Sequence, residues 1–327
     1  MEKRSVALCT YNGAEFLSKQ LESIKQQTMP IHEMVVCDDG SSDETLAILE
    51  RFSKQVTFPV IVHRNPENLG SSKNFEQCLK LCQGDLIFLC DQDDVWMPEK
   101  VERIVQYLEE HPEHEAVFSN ATMIDQAGFP TGKTSFEQIE FTSEMQTKWQ
   151  NQEAFDILLN GYVVTGATLA IRRAVLTSVL PVPTIIPELI HDGWIALILS
   201  ASNKIGFINE ALIQYREHST QQVGLKGGEQ HITLLNRILR PRAEKMEKIK
   251  QKQADIQQLT SYLLRLSIND SCKKKLSDRN TFYTMRASLP KNRILRVYPV
   301  LKFALKGYYK KQEGGKWWRP ILGDLFE

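Results

Sequence analysis

The sequence predicts an α/β fold: a mostly parallel central sheet flanked by helices, followed by a helical C-terminal extension. Through the first 125 residues, short apolar runs alternate with stretches of helical periodicity, and the last hundred residues read as charged helices. Strand–helix repeats of this length build a parallel sheet with helices on both faces. We place the domain boundary between 1–225 and 226–327, beside the glycine-rich stretch GLKGGE.

Four apolar runs predict the first four strands. They are SVALCTYN (5–12), EMVVCDDGSSD (33–43), PVIVHR (59–64) and DLIFLC (85–90). The stretches that follow the first three place apolar residues on one helical face, which predicts helices over 14–27, 43–54 and 68–82. Pro98 begins a fourth helix that runs to Glu110, because proline is favoured in the first helical turn.

Beyond residue 125 the pattern is less regular. Residues 126–150 are polar and are expected to form an irregular surface loop. The rest of the first domain is expected to contain helices at 152–160 and 191–201, and strands at 163–173, 204–208 and 211–218. From residue 229 onward we expect charged helices.

Composition narrows the class of protein. The 327 residues contain 40 Lys and Arg against 40 Asp and Glu, and a neutral chain argues against general nucleic-acid binding. The six cysteines include no C-x-x-C pair and are expected to be buried thiols rather than disulfides or zinc ligands. The N-terminal apolar run is too short for a secretion signal, and no run of about 18 apolar residues occurs. We therefore expect a cytoplasmic protein.

Polar clusters follow three of the predicted strands at their carboxyl ends. They are Thr10-Tyr11-Asn12 after the first strand, Asp38-Asp39-Gly40 after the second and Asp91-Gln92-Asp93-Asp94 after the fourth. Ligands of such sheets bind in the crevice outside these ends, so the clusters should converge. The sequence contains no P-loop and no G-x-G-x-x-G after the first strand. Since carboxylates replace a glycine cradle, the pattern favours a metal-bridged diphosphate as the ligand.

Seven stretches match a known family in residues and in order. They are CTYNGAEFLSKQLESIKQQT, VVCDDGSSDET, NLGSSKNF, FLCDQDDVWMPEK, TGATLAIRR, HDGWIAL and YREHSTQQVG, and the similarity covers roughly residues 4–223. The sequence thus resembles family-2 glycosyltransferases with the Rossmann-like A-type fold, and among them the rhamnosyltransferase-like enzymes of bacterial polysaccharide biosynthesis. The resemblance implies an inverting, metal-dependent transfer of a sugar from a dTDP- or UDP-sugar to a saccharide acceptor.

In this resemblance the D-x-D after the fourth strand holds the metal and part of the sugar donor. Asp91 is assigned to the sugar or ribose and Asp93 to the metal, Mg²⁺ or Mn²⁺, both of which take oxygen ligands. Gln92, between them, is assigned to the sugar donor, and Asp94 shares either role or caps the turn before the next helix. His218 resembles the histidine that completes the metal shell. The residues alone leave a solvated acidic turn as the alternative.

The base and ribose of the nucleotide are assigned to the ends of the first two strands. Residues 10–12 resemble the block that contacts them, and Tyr11 can stack on a pyrimidine or serve as an ordinary core residue. Glu15 joins the base pocket. Asp39 resembles the acid that reads the pyrimidine N–H, and Asp38 is expected to orient the loop.

The diphosphate is assigned to a further set of residues. Asn68, Gly70 and Lys73 resemble the segment that passes near it, although Lys73 could equally be a solvated helix residue. Arg216 can neutralise a phosphate in bidentate fashion or lie on the surface. Gly166 permits close approach of the backbone to the sugar donor or the acceptor.

The general base is assigned to Asp192 in the stretch HDGW. The family places an acid at the start of this helix, facing the acceptor, and inverting transfer needs one base to take the acceptor proton. His191 and Trp194 are expected to shape the pocket. The alternative is that Asp192 only caps its helix, which aspartate does well.

The C-terminal tail is basic and apolar at once. Residues 291–320 contain nine Lys and Arg against one Glu, mixed with aliphatic residues and with paired tyrosines and tryptophans. This composition suits a helix on an anionic membrane surface, such as the inner face of the plasma membrane that would carry a lipid-linked acceptor. Packing on the catalytic domain or in a homodimer is the alternative. Pro299 is expected to break or kink the helix.

Two other function classes remain compatible with strand-end carboxylates. A metal-dependent nucleotidyltransferase would release pyrophosphate from a nucleoside triphosphate. A non-catalytic nucleotide-sugar-binding protein would bind the sugar donor without turnover, and the acids at 91, 93 and 192 argue against it.

Overall fold

The computed structural model describes residues 2–184, 186, 189–219, 221, 242–266, 268–313 and 317–326. The chain divides into two compact units, one comprising Met1–Thr184 and Glu188–Gly228, the other Ile185–Pro187 and Glu229–Glu327. The boundary predicted at residue 225 and the helix start predicted at 229 lie outside the described residues.

The described residues of the first unit form one nine-stranded sheet. Its strands are β1 (Arg4–Thr10), β2 (Glu33–Asp38), β3 (Val60–Arg64), β4 (Leu86–Cys90), β5 (Val95–Trp96), β6 (Ala116–Ile124), β7 (Pro130–Thr134), β8 (Leu169–Arg172) and β9 (Ile205–Arg216). The order across the sheet is β3-β2-β1-β4-β8-β6-β9-β5, with β7 beside β6. Strands β1 to β4 are parallel, β8 is antiparallel to both neighbours, and β6 is parallel to β9.

Helices cover this sheet and precede the second unit. They are α1 (Ala14–Lys25), α2 (Thr45–Ser53), α3 (Ser71–Leu81), α4 (Lys100–Glu110), α5 (Ser135–Gln138), α6 (Ser143–Lys148), α7 (Ala154–Asn160), α8 (Leu176–Val179) and α9 (His191–Ser200). Short helical turns lie at Trp149–Glu153, Gly166–Thr168 and Arg173–Val175. The α/β class is confirmed.

The parallel strands place the polar clusters at one edge of the sheet. Every residue of β1 and of β4 is buried, because helices pack on both faces and each strand is apolar along most of its length. Thr10 pairs with Asp38 across β1 and β2, and Leu8 pairs with Cys90 across β1 and β4. The register therefore brings the three strand ends to the same level.

Strand β6 is absent from the predicted elements although it lies inside the sheet. Ser119, Asn120 and Thr122 interrupt its apolar run. They are accommodated because the buried polar groups are bonded: the amide oxygen of Asn120 accepts hydrogen bonds from the Ser135 hydroxyl at 3.0 Å and from the Phe136 N–H at 3.1 Å. The predicted strands at 204–208 and 211–218 are a single strand, β9, whose pairing with β6 shifts register at Asn120.

The stretch 126–150 is not the irregular loop that its polar composition predicts. It contains β7, α5 and α6. Thr134 and Glu137 cap the start of α5 reciprocally, and the Thr142 hydroxyl accepts the Met145 N–H at the start of α6. Polar residues here form capping motifs, which composition alone does not distinguish from loop.

The described part of the second unit is helical, as predicted. Its helices are α10 (Arg242–Leu263), α11 (Asp270–Ala287), α12 (Arg293–Leu305), α13 (Tyr308–Glu313) and α14 (Trp318–Phe326). Their shared core includes Phe282, Tyr283, Val300 and Tyr309. The buried Asp324 accepts hydrogen bonds from Arg286 Nε and from the Tyr309 hydroxyl, each at 2.8 Å.

Pro299 does not end the last long helix of this unit. Helix α12 runs through it, from Arg293 to Leu305. The carbonyl left without its partner belongs to Leu295, which is 62% exposed, so that water can satisfy it. Among the described helices, none combines the length and the apolar character needed to cross a membrane. All six cysteines are buried thiols.

Candidate active site

A cavity of about 480 Å³ opens at the carboxyl ends of β1, β2 and β4. This volume is in the range of sites for small molecules and cofactors, and the position follows the rule for open α/β sheets. Most of the predicted site residues line it: Thr10, Tyr11, Asn12, Glu15, Asp39, Asp91, Gln92, Asp93, Gly166, His191, Asp192 and His218. Residues far apart in the chain are thus brought to one cavity.

The two acids after β2 have different surroundings. Asp38 accepts hydrogen bonds from the Thr10 hydroxyl at 2.9 Å and from the Ser41 N–H at 2.9 Å, and it does not line the described cavity wall. Asp39 lines the wall and accepts three hydrogen bonds of 2.8–2.9 Å from the segment 65–70. Asp38 therefore shapes its own loop, whereas Asp39 fixes the neighbouring loop and faces the cavity.

Gln92 joins the ends of β1 and β4. Its amide oxygen accepts the Tyr11 N–H at 2.9 Å, and its amide nitrogen donates to the Tyr11 carbonyl at 3.0 Å. A Cβ at Gly13 would lie 2.1 Å from the Gln92 amide oxygen, so glycine leaves the room that this pair needs. Tyr11 is held by its backbone while its side chain stays 39% exposed at the cavity.

Two carboxyls of the acidic loop after β4 have raised pKa values. Burial, together with Asp93 and Asp192, raises the pKa of Asp91 to about 8, and burial also raises the pKa of Asp94. One oxygen of Asp94 is buried with no hydrogen-bond partner among the described residues. A cation bound at this loop would offset the repulsion between the acids, which adds to the effect of burial.

Lys100 is the buried cation behind this loop. It is fully buried, donates to the Ala167 carbonyl at 2.8 Å and lies 3.9 Å from the centre of the Trp96 ring. Burial lowers its pKa to about 8. A lysine in a helical pattern is normally expected to be solvated, and only the packing of α4 against the sheet shows that Lys100 is buried.

Asp93 and His218 form a pair at the cavity. The carboxylate oxygen Oδ2 of Asp93 lies 2.8 Å from Nε2 of His218, whose ring packs 4.8 Å from that of Phe16. One carboxylate and one imidazole, with the carboxyl of Asp91 in the same wall, form a set of ligand types suited to Mn²⁺ or another divalent ion. The residues present fit a divalent cation.

Arg216 holds this loop from behind instead of facing a phosphate. Its side chain donates to the Asp93 carbonyl at 2.8 Å and to the carbonyls of residues 125 and 126, and its N–H donates to Asp94 at 2.9 Å. It is 1% exposed and absent from the described cavity wall. Its described side-chain donors serve main-chain carbonyls and do not face the cavity.

Asp192 lies in the first turn of α9 and is 3% exposed. Its Oδ2 accepts hydrogen bonds from the Tyr162 hydroxyl and from the Gly166 N–H, the latter at 2.7 Å. Its Oδ1 accepts the Gly193 N–H at 2.6 Å. No lysine or arginine is among the contacts that the structure gives it, so the carboxylate is oriented by neutral groups. These three hydrogen bonds fix the direction of both carboxylate oxygens.

The His191 ring packs beside Asp192. Its ring stacks 4.2 Å from that of Phe75, and neither ring nitrogen has a partner among the described residues. Burial lowers its pKa, which favours the neutral ring. A Cβ at Gly166 would lie 3.0 Å from His191 Nε2 and 3.1 Å from Asp192 Oδ2, so glycine keeps this corner open.

The comparison with family models decides the family. The model of glycosyl transferase family 2 matches residues 5–180. The chain belongs to glycosyltransferase family 2. The family predicted from the seven stretches is therefore confirmed.

Relatives of this family-2 chain are similar over about two thirds of its length. An uncharacterized glycosyltransferase of Nostoc sp., alr2836, is 28% identical over 222 residues, which cover 66% of this chain and 65% of that protein. The dTDP-rhamnosyl transferase RfbG of Shigella flexneri is 27% identical over 234 residues, covering 66% of this chain and 73% of RfbG. The chain thus spans about two thirds of the length of these relatives.

A solved structure supports the A-type fold of this family-2 chain. S. aureus TarS, residues 1–349, in complex with UDP-GlcNAc, is similar with a TM-score of 0.55 and 17% identity. The match covers 99% of this chain and 80% of the TarS chain. At this identity the similarity shows the fold, and the predicted fold is confirmed.

Four other predicted residues of the family-2 site support the cavity from outside its described wall. Asn68 donates to the Asp39 carbonyl at 3.2 Å, and the N–H of Gly70 donates to Asp39 Oδ2 at 2.9 Å. Lys73 donates to Glu76 at 2.7 Å and to a main-chain carbonyl at 3.0 Å. The Trp194 ring N–H donates to the Val179 carbonyl at 2.7 Å. Lys73 is thus paired with Glu76 and does not line the described cavity wall.

The cavity wall also contains residues that sequence reasoning missed. They are Cys9, Phe16, Ser71, Asn74, Phe75, Tyr162, Thr165, Ile190, Tyr215 and Gln221. Most are adjacent in the sequence to predicted site residues, and this adjacency is the signal that could have identified them. Tyr162 is different, because it lies three residues before the TGATLAIRR stretch and only the fold brings it to Asp192.

Proposed function

We propose that the chain transfers a sugar with inversion from a nucleoside-diphosphate-sugar to a hydroxyl of a saccharide acceptor. The observation that carries the proposal is the meeting of Asp192 with Asp91 and Asp93 in one cavity. A carboxylate that accepts hydrogen bonds from neutral groups, as Asp192 does, is a suitable general base. Asp91 and Asp93, which follow β4, are suited instead to holding the sugar donor.

In this reaction the acceptor oxygen forms a bond to the anomeric carbon while the bond to the diphosphate oxygen breaks. The acceptor proton goes to Asp192, and the electron pair of the broken bond leaves with the nucleoside diphosphate. Tyr162 and the backbone of Gly166 keep Asp192 oriented. Tyr11, Asn12 and residues near them hold the nucleotide.

We propose a divalent metal as the cofactor, held by Asp93 and His218 with Asp91 nearby. The 2.8 Å contact of Asp93 with His218 and the raised pKa of Asp91 support this assignment. When bound, such an ion stabilises the negative charge that develops on the leaving diphosphate. Carboxylate oxygens bind both Mg²⁺ and Mn²⁺, whereas an imidazole ligand favours Mn²⁺.

For the sugar we propose rhamnose, donated by dTDP-rhamnose, for the synthesis of a cell-surface polysaccharide. The support is the similarity to RfbG, which is named a dTDP-rhamnosyl transferase. UDP-sugars are the second group to test.

A direct assay tests the proposed reaction. The protein is incubated with dTDP-rhamnose or UDP-sugars, with Mn²⁺, Mg²⁺ or EDTA, and the release of nucleoside diphosphate is measured. We expect release from at least one sugar donor with the metal and none with EDTA. Release of pyrophosphate from a nucleoside triphosphate would instead identify a nucleotidyltransferase. Binding of sugar donors, detected as a rise in melting temperature, without any turnover would support the non-catalytic alternative.

Removing the hydroxyl that orients Asp192 tests the base assignment from its periphery. In Tyr162→Phe we expect kcat to fall about tenfold or more, since a hydrogen bond to a charged group contributes about 1.5–3 kcal/mol. The KM for the sugar donor should change little, because the hydroxyl contacts the base. Steady-state kinetics measure both values.

The matched control is Tyr107→Phe. It removes a hydroxyl that contacts His114, neither of which is in the described cavity wall. This variant should retain the kcat of the unmodified protein. An unchanged kcat with a raised KM in Tyr162→Phe would show that Tyr162 acts in binding and not in orienting Asp192.

A further inference from the structure

Helix α12 turns an apolar face to solvent. The exposed fractions are 78, 62, 73, 47 and 89% for Ile294, Leu295, Tyr298, Leu301 and Leu305. Their spacing places them on one side of the helix. The opposite side packs inward, with Val300 in the core of the unit and Phe303 and Ala304 against it. A surface helix normally exposes its polar side to solvent, whereas α12 exposes an apolar side.

Helix α14 has the same arrangement. Trp318, Leu322 and Phe326 follow one another at intervals of four residues and are 42, 42 and 59% exposed. Ile321 and Leu325 pack against the core that α12 also joins. Two helices of the second unit therefore each bury one apolar side and expose another.

Positive charge surrounds these apolar faces. Lys291, Arg293, Lys302 and Lys306 are exposed along α12, and the ammonium of Lys302 lies 5.7 Å from the ring centre of Tyr298. Over residues 291–320 nine basic residues stand against a single acidic one. Aliphatic and aromatic side chains flanked by cations are typical of helices that lie in the interface of an anionic membrane.

Charge also distinguishes between the two partners that an exposed apolar face could bind, a second copy of the chain and a lipid bilayer. In a symmetric dimer the same face of each copy would meet, and two surfaces of like charge would repel. An anionic bilayer attracts the cations and buries the apolar side chains at once. We propose that α12 and α14 bind the surface of an anionic lipid bilayer, with the apolar faces at the acyl boundary and the lysines and arginines at the headgroups.

Vesicle flotation of the full-length protein tests the proposal. We expect the protein to float with vesicles of phosphatidylglycerol and phosphatidylcholine and to stay behind with phosphatidylcholine alone. Added salt should weaken the binding, since it screens the attraction of exposed charges. Binding that is equal on both kinds of vesicle would overturn the electrostatic part of the proposal.

Two double variants with matched controls locate the binding surface. Ile294→Ser with Leu305→Ser should weaken partitioning about tenfold or more, because both side chains would leave the acyl boundary. The control Phe129→Ser removes a side chain that is 69% exposed in the first unit and should bind like the unmodified protein. Lys302→Gln with Lys306→Gln should weaken binding about fivefold for each cation removed, whereas Lys133→Gln should not.

The substituted side chains are exposed, so the variants are expected to have the same melting curves as the unmodified protein. The melting curves therefore show directly whether each variant is folded. Lack of flotation on anionic vesicles, or flotation that the double variants leave unchanged, would overturn the proposal. It would equally be overturned if light scattering found a dimer that Ile294→Ser with Leu305→Ser converts to a monomer, because the face would then be a contact between copies.

Discussion

Asp192→Asn should abolish most transfer while leaving the binding of the sugar donor intact. If Asp192 takes the acceptor proton, the loss in kcat is expected to be about 10²–10⁴-fold, the range for a general base. Thermal-shift titration with the sugar donor should give nearly the same affinity, because the nucleotide is assigned to Tyr11, Asn12 and residues near them and not to Asp192. Release of nucleoside diphosphate measures the turnover.

Two further variants make this result interpretable. Both oxygens of Asp192 accept hydrogen bonds, so an asparagine NH₂ group must face an N–H or O–H donor. Asp192→Ala avoids that conflict and should lose activity to a similar degree. Asp156→Asn, which removes the first-turn acid of α7, should remain active. Near-normal turnover in both Asp192 variants would show that Asp192 acts only as a helix cap and not as the general base.

In Asp93→Asn we expect weaker metal binding while the protein still folds. The amide removes a negative charge from the pair with His218, so that the affinity for Mn²⁺ is expected to fall at least about tenfold, with a parallel loss of turnover at limiting metal. Metal titrations followed by melting temperature measure the affinity, and the dependence of product release on Mn²⁺ concentration measures the functional loss.

Asp43→Asn is the matched control for this experiment. Asp43 lies in the loop after β2, accepts the Ala14 N–H at 3.0 Å and is outside the described cavity wall. Its variant should lose some stability and keep its metal dependence. If Asp93→Asn turned over sugar donor with an unchanged requirement for Mn²⁺, Asp93 would not be a metal ligand.

The strand ends could be predicted from the sequence, since they depend on local pattern. An apolar run followed by Asp, Asn or Gly identifies both a strand and its exit, and parallel strands bring such exits together. Thr10, Asp39 and Asp91 line one cavity for this reason. Asp192 was placed by resemblance, as no periodicity relates it to β4.

The unpredicted part depends on packing between distant segments. Tyr162 precedes Asp192 by thirty residues, and its hydroxyl reaches the carboxylate because the turn at Gly166–Thr168 packs beside α9. Lys100 looks like any helix lysine until Trp96 and the Ala167 carbonyl surround it. Arg216 looks like a phosphate ligand until main-chain carbonyls occupy its donors. In each case the partner is fixed by tertiary structure.

The crowded carboxyls of the β4 loop also set a limit on engineering. Asp94 is buried, Asp91 lines the cavity, and the pKa of each is raised, so each lowers the stability of the metal-free chain at neutral pH. Selection of variants by melting temperature alone would therefore favour neutral residues at these positions and discard Asp91, which lines the cavity and is proposed to face the sugar donor. Functional sites commonly conflict with stability in this way, and stabilised versions of this protein need both acids held fixed during selection.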